Sequence, residues 1–255
     1  MPKISIITPT KDREAYLLGI WASVKSQTIS EIEWLVHDSS PEPSAFLQGI
    51  AAENPWVRYL RDPDPANPMM LGAKRNALVA AAKGDYIIHF DDDDYYAPTY
   101  IEEMCSLMAR QKADIVKLFG FYLFHELTGT YWYWDLERAF PVHYMLVGIR
   151  DFFPMGVKQV NRNDEWGYGF SYVYHRKVWE ASPFPNDKTH GEDQPFANAA
   201  IAKFSHAGMQ DPGFLSLHVI HTANTSVSYP QQYLGHEFGQ EHFPGFTPLR
   251  ASGGA

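Results

Sequence analysis

Apolar and polar residues alternate along the first half of the chain in a pattern that predicts strands and helices in turn. Short apolar runs bounded by turn residues predict strands at residues 3–9, 32–38, 56–62, 85–90 and 114–124. Between them, apolar residues recur at helical spacing from Leu17 to Val24 and over residues 43–54, 69–84 and 98–113. Strands that alternate with helices of this length favour right-handed crossovers and a mostly parallel sheet.

The second half of the chain is less regular. The sequence TGTYWYW predicts a hairpin turn within residues 125–160, which continue as an aromatic-rich stretch to Phe153. Three further segments predict a strand running into a short helix, a helix that begins with acidic residues, and a strand, at residues 167–180, 191–204 and 214–226. No internal repeat or low-complexity linker occurs, so the pattern predicts one domain, with a frayed tail at ASGGA.

The composition narrows the class of protein. Hydrophobic residues make up 45% and charged residues 20% of the 255 residues, as in soluble globular proteins. The net charge is −9, and no block of lysine and arginine offers a surface for a phosphate backbone. Nucleic acid is therefore not an expected partner.

The cysteine content and the N-terminal sequence lead us to expect a cytoplasmic protein. Cys105 is the only cysteine, so no internal disulfide forms, and its place in a helical pattern predicts a small core residue. The opening sequence MPKISIITPTKDR lacks the apolar run and cleavage site of a signal peptide. No uncharged apolar stretch reaches the roughly 18 residues that predict a membrane span.

The sequence YIIHFDDDDYY, residues 86–96, places four aspartates directly after a predicted strand. A hard divalent cation, Mg²⁺ or Mn²⁺, would offset their mutual repulsion, because such ions prefer oxygen ligands. In an extended segment Asp91 and Asp93 would point one way, and Asp92 and Asp94 the other. One pair would then meet a ligand, while the other caps the following helix or faces solvent. The alternative is an acidic, solvated loop that caps a helix.

Polar residues also mark the carboxyl ends of two neighbouring predicted strands. Thr8-Pro9 ends the first strand, and Asp38 ends the second. Open α/β sheets bind ligands beyond the carboxyl ends of their strands. We therefore expect a ligand site where these residues and the four aspartates meet.

Four motifs occur in the order and spacing of a known enzyme family: ISIITPTKDR, HDSSP, GAKRNALVAAAKGDYIIHFDDDDYYAP and GEDQPF. Over residues 3–120, and again over 165–226, the chain resembles the inverting, family-2-type glycosyltransferases with a GT-A fold. The resemblance implies an α/β, Rossmann-like, mostly parallel sheet flanked by helices, with a smaller mixed acceptor-side region. It also implies a single domain of two halves, a nucleotide-sugar-binding half at 1–120 and an acceptor-binding, catalytic-base half at 121–255.

The resemblance implies a donor site built from the first three motifs. The residues implied to bind the nucleotide sugar are Thr8, Pro9, Arg13, Asp38, Lys74, Arg75, Asp91 and Asp92. Asp91 and Asp93 would form the family's Asp-x-Asp motif and hold Mn²⁺ or Mg²⁺. The chain departs from the family at residues 37–40, which read His-Asp-Ser-Ser where Asp-Asp-Gly-Ser is usual. Asp38 could instead cap the next helix, and Arg75 could be a solvated helix charge.

Inverting transfer requires a base opposite the leaving diphosphate, because the acceptor hydroxyl loses its proton as it attacks. The resemblance places this base at the aspartate of GEDQPF, which is Asp193 here, with Glu192 as a neighbour that binds the acceptor or orients the loop. The alternative is a helix N-terminus with acidic residues that interact favourably with the helix dipole.

His221 and Trp166 complete the expected site, and His218 is expected to lie outside it. His221, in LHVIHTANTS, resembles a residue that touches the metal or diphosphate in some relatives, and we expect it to be a metal ligand. His218 would lie on the opposite face of an extended strand and is expected to face the core. Trp166 is expected to expose its ring and bind the acceptor.

The aromatic stretch 131–153 lies where the family keeps its acceptor side. Aromatic faces stack on sugar rings and on lipid-like acceptors, so a peripheral membrane or lipid-linked acceptor contact is compatible with it. The resemblance favours a metal-dependent, inverting glycosyltransferase that moves a sugar from a nucleotide-sugar donor, with UDP preferred, to a hydroxyl of a glycan. The alternatives are a sugar-nucleotide pyrophosphorylase and a non-catalytic nucleotide-sugar-binding module.

Overall fold

The structure is a computed structural model that describes residues 3–64, 66–148, 152–156, 165–224 and 227–249. Thr225, Ser226 and the tail that the sequence predicts to be frayed lie outside these residues. Within them, no helix has both the length and the apolar character needed to cross a membrane.

The strands and helices follow the predicted order. The strands are β1 (Ile4–Thr10), β2 (Ile32–Asp38), β3 (Val57–Arg61), β4 (Tyr86–His89), β5 (Tyr95–Tyr96), β6 (Ile115–His125), β7 (Thr130–Asp135), β8 (His143–Leu146), β9 (Phe152–Met155), β10 (Val173–His175), β11 (His206–Gln210), β12 (Ser216–Ile220) and β13 (Gln232–Gly235). The helices are α1 (Leu17–Lys25), α2 (Ala45–Glu53), α3 (Leu71–Ala81), α4 (Tyr100–Gln111), α5 (Arg176–Ala181), α6 (Asp193–Lys203) and α7 (Phe238–His242).

One sheet dominates the fold. Its first half, in the order β4-β1-β2-β3, is parallel, with Ile4 opposite both Ile32 and Tyr86. Its second half is mixed, because β10 runs antiparallel to both β4 and β6, whereas β11 and β12 run parallel to β6. This mixed α/β architecture, with helices around the sheet, confirms the predicted fold class.

The central strands are apolar because helices cover both faces of the sheet. All seven residues of β1 are buried. Leu17, Ile20 and Val24 of α1 pack against one face, and Leu78 and Val79 of α3 pack against the other. Cys105 in α4 is half-buried and packs against the hydrophobic cluster that contains the α1 residues.

A glycine brings the two halves of the chain into contact beside the sheet. The N–H of Gly72, in the first turn of α3, donates to the carbonyl of Lys188 at 3.1 Å. A Cβ atom at Gly72 would collide with the backbone carbonyl of Pro185. The N-terminus of α3 can therefore lie against residues 185–192, which lead into α6.

Candidate active site

The four aspartates lie in a turn after β4, and each carboxylate has its own partner. Arg75 lies 3.2 Å from Asp91, Thr10 donates to Asp92 at 2.5 Å, Arg13 lies 2.9 Å from Asp93, and His218 lies 3.0 Å from Asp94. The segment turns and is not extended, so the alternation expected from an extended strand is wrong. Asp91, Asp92 and Asp93 line the same cavity.

The carboxylates differ in their tendency to ionise. Burial raises the pKa of Asp91, and burial together with the neighbouring Asp93 carboxylate raises that of Asp92 well above its usual value. Burial opposes the ionisation of Asp93 as well, but the hydrogen bond from His221 and the charge of Arg13 bring its pKa below the usual value. Asp93 is therefore the carboxylate of the cluster that is best stabilised as an anion.

The first cavity, named here the strand-end cavity, has a volume of about 440 Å³. It lies beyond the ends of β1 and β4 and is lined by Pro9, Thr10, Lys11, Arg13, Pro68, Met69, Met70, Leu71, Lys74, Arg75, Asp91, Asp92, Asp93 and Thr189. Its wall thus combines carboxylates with lysine and arginine side chains. Such a wall suits a ligand that carries phosphate groups together with a cation.

The second cavity, named here the helix-end cavity, has a volume of about 400 Å³ and lies at the N-terminus of α6. It is lined by Leu71, Arg75, Asp91, residues 167–170, residues 189–194, His218 and Val227. The two cavities share Leu71, Arg75, Asp91 and Thr189. They are therefore neighbouring parts of one site.

Arg75 joins the two predicted acidic clusters. Its guanidinium is buried, lies 3.0 Å from Glu192 and 3.2 Å from Asp91, and donates to Nδ1 of His89 at 3.0 Å. Burial and the Arg75 charge lower the pKa of His89 well below its usual value, which leaves a neutral ring that accepts this hydrogen bond. Arg75 is thus part of a buried charge network, and its interpretation as a solvated helix charge is wrong.

Asp193 is held at the first position of α6. Its Oδ2 accepts from the N–H of Gly169 at 2.9 Å, and its Oδ1 accepts from the N–H of Gln194 at 2.8 Å. A Cβ atom at Gly169 would lie 2.9 Å from the Cβ of Asp193, closer than real Cβ contacts. Glu192 precedes it and is buried; burial raises the pKa of Glu192, although Arg75 opposes this shift.

Asp93 and Arg13, which line the strand-end cavity, both contact the buried ring of His221. His221 Nε2 lies 2.9 Å from Asp93 Oδ2, and one Arg13 nitrogen lies 2.9 Å from that oxygen and 2.6 Å from the same ring nitrogen. Over the part of the chain that the structure describes, no three His, Cys, Asp or Glu side chains form a ready-made metal centre. Magnesium and related ions, however, commonly bind through one or two carboxylates together with substrate phosphates. Carboxylate donors suit such an ion, whereas imidazole more often binds zinc, copper or iron, so Asp93 is the member of this group that fits the ion best.

Some of the residues expected to bind the nucleotide sugar line the strand-end cavity, and others do not. Pro9 and Lys74 line the strand-end cavity, whereas the hydroxyl of Thr8 accepts from Trp34 within the core. Thr10 lies two residues after Thr8, on the same face of β1. It lines the cavity, although the sequence did not predict it as a site residue. Burial lowers the pKa of Lys74, whose ammonium donates to the Thr10 carbonyl at 3.3 Å.

Asp38 is buried and does not line the strand-end cavity. Burial would raise its pKa, but hydrogen bonds from Ser40, Tyr59 and Arg61 lower it below the usual value. Tyr59 donates at 2.6 Å and Arg61 at 3.1 Å. The cap of α2 is Ser44, so the alternative role of Asp38 as a helix cap is wrong.

The prediction of an exposed Trp166 is wrong. Its side chain is 2% exposed, and its ring packs edge-on against Phe119 and His206, each at 5.4 Å between ring centroids. His218 is buried, as expected for a residue facing the core, but it also lines the helix-end cavity. Burial opposes its charge, yet Asp94 raises the pKa of His218 to about 9.

Comparisons with known proteins identify the family of this chain. The family model described as "Glycosyl transferase family 2" matches residues 5–180. The uncharacterized glycosyltransferase EpsJ of Bacillus subtilis is 27% identical over 84% of this chain and 60% of its own length. The chain thus spans about 60% of the length of this relative.

Solved structures give the same fold. The structure of residues 1–349 of TarS from S. aureus in complex with UDP-GlcNAc matches with a TM-score of 0.61 and 16% identity, over 87% of this chain and 60% of that one. The mannosyltransferase PcManGT from Pyrobaculum calidifontis, in complex with GDP-Man and Mn²⁺, matches with a TM-score of 0.55 and 15% identity, over 85% and 56%. With the family model matched over residues 5–180, the chain belongs to glycosyl transferase family 2.

Proposed function

We propose that this protein is a metal-dependent, inverting glycosyltransferase that moves a sugar from a nucleotide-sugar donor to an acceptor hydroxyl. The observation that carries the proposal is the position of Arg75, which contacts Asp91 of one acidic cluster and Glu192 of the other. Direct displacement needs a leaving-group site and a base site on two sides of one reacting carbon. The strand-end and helix-end cavities, which meet at Arg75, supply these two sites.

The strand-end cavity is the proposed donor site. Lys11, Arg13 and Lys74 would bind the diphosphate, and Pro9 would line the nucleoside pocket. Asp91, Asp93 and His221 would hold Mn²⁺ or Mg²⁺, which stabilises the charge that develops on the leaving diphosphate. TarS, a neighbour by fold, is known in complex with UDP-GlcNAc, which favours a UDP-sugar. Arg75 and Asp92 complete the proposed set around this pocket, whereas Thr8 and Asp38 lie outside its lining.

The helix-end cavity is the proposed acceptor site, with Asp193 as the base. The acceptor oxygen forms a bond to the anomeric carbon as the bond from that carbon to the diphosphate breaks on the opposite side. The hydroxyl proton moves to the Asp193 carboxylate, and the nucleoside diphosphate leaves. Hydrogen bonds from Gly169 and Gln194 orient this carboxylate, and Glu192 is held by Arg75 beside it. Attack from the face opposite the leaving group inverts the anomeric configuration.

The acceptor is proposed to be a glycan, and a lipid-linked one is supported by a surface near β8 and β9. Val142, Phe153 and Met155 each expose about two-fifths of their surface there. Exposed apolar side chains of this kind suit contact with a lipid or a membrane surface.

A donor panel tests the proposed function. UDP-, GDP- and dTDP-sugars are incubated with the protein and Mn²⁺ or EDTA, and free nucleoside diphosphate and the anomeric configuration of the product are measured. We expect Mn²⁺-dependent turnover of at least one donor, with inversion, and loss of turnover but not of nucleotide binding in Asp193→Asn. Retention of configuration, or full activity of Asp193→Asn, would contradict the mechanism.

The same panel separates the alternatives. A sugar-nucleotide pyrophosphorylase would make a nucleotide sugar and pyrophosphate from a nucleoside triphosphate and a sugar 1-phosphate. The loop TPTKDR lacks the glycines that usually hold the triphosphate in such enzymes. A non-catalytic module would bind a nucleotide sugar without turnover, and Asp193→Asn would change nothing that can be measured.

A further inference from the structure

Lys117 is a buried lysine that the proposed mechanism leaves without a role. It is the third residue of β6, within the otherwise apolar run IVKLFGF, and it is 0% exposed. Neighbouring strands flank it on both sides, because Val116 pairs with Val173 of β10 and Lys117 itself pairs with Gly208 of β11. An ammonium group in such a place is costly unless it has partners, so a buried lysine calls for an explanation.

The partners of Lys117 are backbone carbonyls of one loop. Its ammonium donates to the carbonyl of Glu165 at 2.7 Å and, through a short hydrogen bond, to that of Gly167. It also lies over the ring of Phe119, 5.9 Å from the centroid. Within the described ranges, no carboxylate forms an ion pair with Lys117. The side chain thus holds residues 165–169, named here the base loop.

The base loop contacts the proposed base. The carbonyl of Trp166 accepts a short hydrogen bond from the Tyr172 hydroxyl. At its far end the N–H of Gly169 donates to Asp193 Oδ2 at 2.9 Å. Gly167, Tyr168 and Gly169 line the helix-end cavity. A shift of the loop away from β6 would therefore move both the cavity wall and the donor that orients Asp193.

We propose that Lys117 is a positioning residue for the transfer reaction, which fixes the base loop against β6 and thereby holds the N–H of Gly169 that orients Asp193. The inference rests on the proposed function only for the role of Asp193 as base. The contacts of Lys117 exist whatever the substrate is.

The charges around Lys117 agree with this role. Burial lowers the pKa of Lys117 to about 7, and the carboxylates of Asp193 and Glu165 oppose this shift. Asp193 in turn interacts with Arg75 from α3 and with Tyr172 from the segment before β10, and Glu192 precedes it. Lys117 in β6 and Arg75 in α3 are therefore both electrostatically coupled to the base.

Kinetics test the positioning role. Lys117→Met removes the hydrogen bonds and the charge, Lys117→Gln keeps N–H donors without the charge, and Lys177→Met is a control at a half-exposed lysine that pairs with Asp114. We expect kcat to fall about tenfold or more in Lys117→Met, because small displacements of a base are costly, while the Kd of the nucleotide and the Lys177→Met activity stay unchanged. A kcat within twofold of the wild-type value in Lys117→Met would overturn the proposal.

A second measurement does not depend on activity. The Cε signal of Lys117 in ¹³C-lysine-labelled protein, assigned by its absence in Lys117→Gln, is followed from pH 5 to pH 10 in the wild type and in Asp193→Asn. We expect the titration midpoint of Lys117 to fall in Asp193→Asn, because a neighbouring negative charge is lost. An unchanged midpoint would overturn the coupling. Absence of any transferase activity with an intact shift would instead count against the proposed function alone.

Discussion

Arg75 and Glu192 lie 117 positions apart in the chain, and their side chains meet at 3.0 Å between Nε and Oε1. Arg75 comes from α3, in the half that binds the proposed donor, and Glu192 precedes α6, in the half that carries the proposed base. Both side chains are buried. This ion pair therefore sets the relative position of the two halves of the site.

Replacement of Arg75 by lysine is predicted to damage both activity and stability. A lysine keeps the charge but cannot contact Asp91, Glu192 and His89 together, because it lacks the planar, branched donor group. Removing a partner from a buried pair costs about 3–5 kcal/mol, so Arg75→Met should lower the free energy of unfolding by that order. Urea unfolding and turnover measure the two effects. Arg110→Lys, at an exposed position of α4, should behave as the wild type.

Replacement of Gly169 by alanine is predicted to impair the proposed base. The new Cβ would lie 2.9 Å from the Cβ of Asp193 and 3.1 Å from the Tyr172 ring, so the base loop or Asp193 must shift. We expect kcat to fall about tenfold or more, with little change in nucleotide Kd. Gly49→Ala is the matched control, because nothing lies within 4 Å of a Cβ at that position. Equal kcat values for the two variants would contradict the role of this close approach.

The strand-end cavity predicts a metal-linked change in nucleotide binding. Asp93→Asn should abolish most of the gain in UDP affinity that Mn²⁺ provides, because Asp93 is the carboxylate best stabilised as an anion. Calorimetric titration of UDP in Mn²⁺ and in EDTA measures this gain. Asp64→Asn, at an exposed turn, should leave it intact. If Mn²⁺ strengthened UDP binding equally in Asp93→Asn, another residue would have to hold the ion.

His218 predicts a dependence of stability on pH. Asp94 raises the pKa of His218 from 6.5 to about 9, so the protonated ring binds its proton more tightly in the folded state. The resulting stabilisation is fully present below pH 6.5 and is lost as the pH rises through about 9. His218→Gln should remove this loss.

Urea unfolding between pH 6.5 and pH 9.5 provides the measurement for His218. His236→Gln is the control, because His236 lies at the surface. Burial lowers the pKa of Lys117 to about 7, which adds stability as the pH rises through this range, so the measurement is the difference between variants. The wild type and His236→Gln should both lose stability relative to His218→Gln as the pH rises. A curve of the same slope for His218→Gln would show that another group titrates there.

The regular elements could be predicted from the sequence because their signals are local. β2 coincides with the predicted strand 32–38, and α3 and α4 begin and end within three residues of their predicted bounds. The order of the motifs also predicted that the two acidic clusters lie at one site. Apolar periodicity and strand-end chemistry depend on neighbours in sequence, which is why they can be recognised without a structure.

The predictions that were wrong concern features that depend on tertiary contacts. Trp166 follows a polar stretch, but Phe119 and His206, from β6 and β11, close over its ring. The four aspartates form a turn, and their partners Thr10, Arg13, Arg75 and His218 come from three separate segments and not from alternation along a strand. The sequence does contain a signal for Lys117, because it is a lone charged residue in an apolar run. Only the structure shows that its partners are loop carbonyls.

The contact of Gly72 with the backbone of Pro185 has a consequence for chimeras of this family. An acceptor-side half grafted from a relative would meet α3 at a junction that tolerates no side chain, and its incoming segment would have to supply the carbonyl that Lys188 offers. Residues 185–193 therefore have to be exchanged together with the rest of that half, as a single unit that matches the helix it touches.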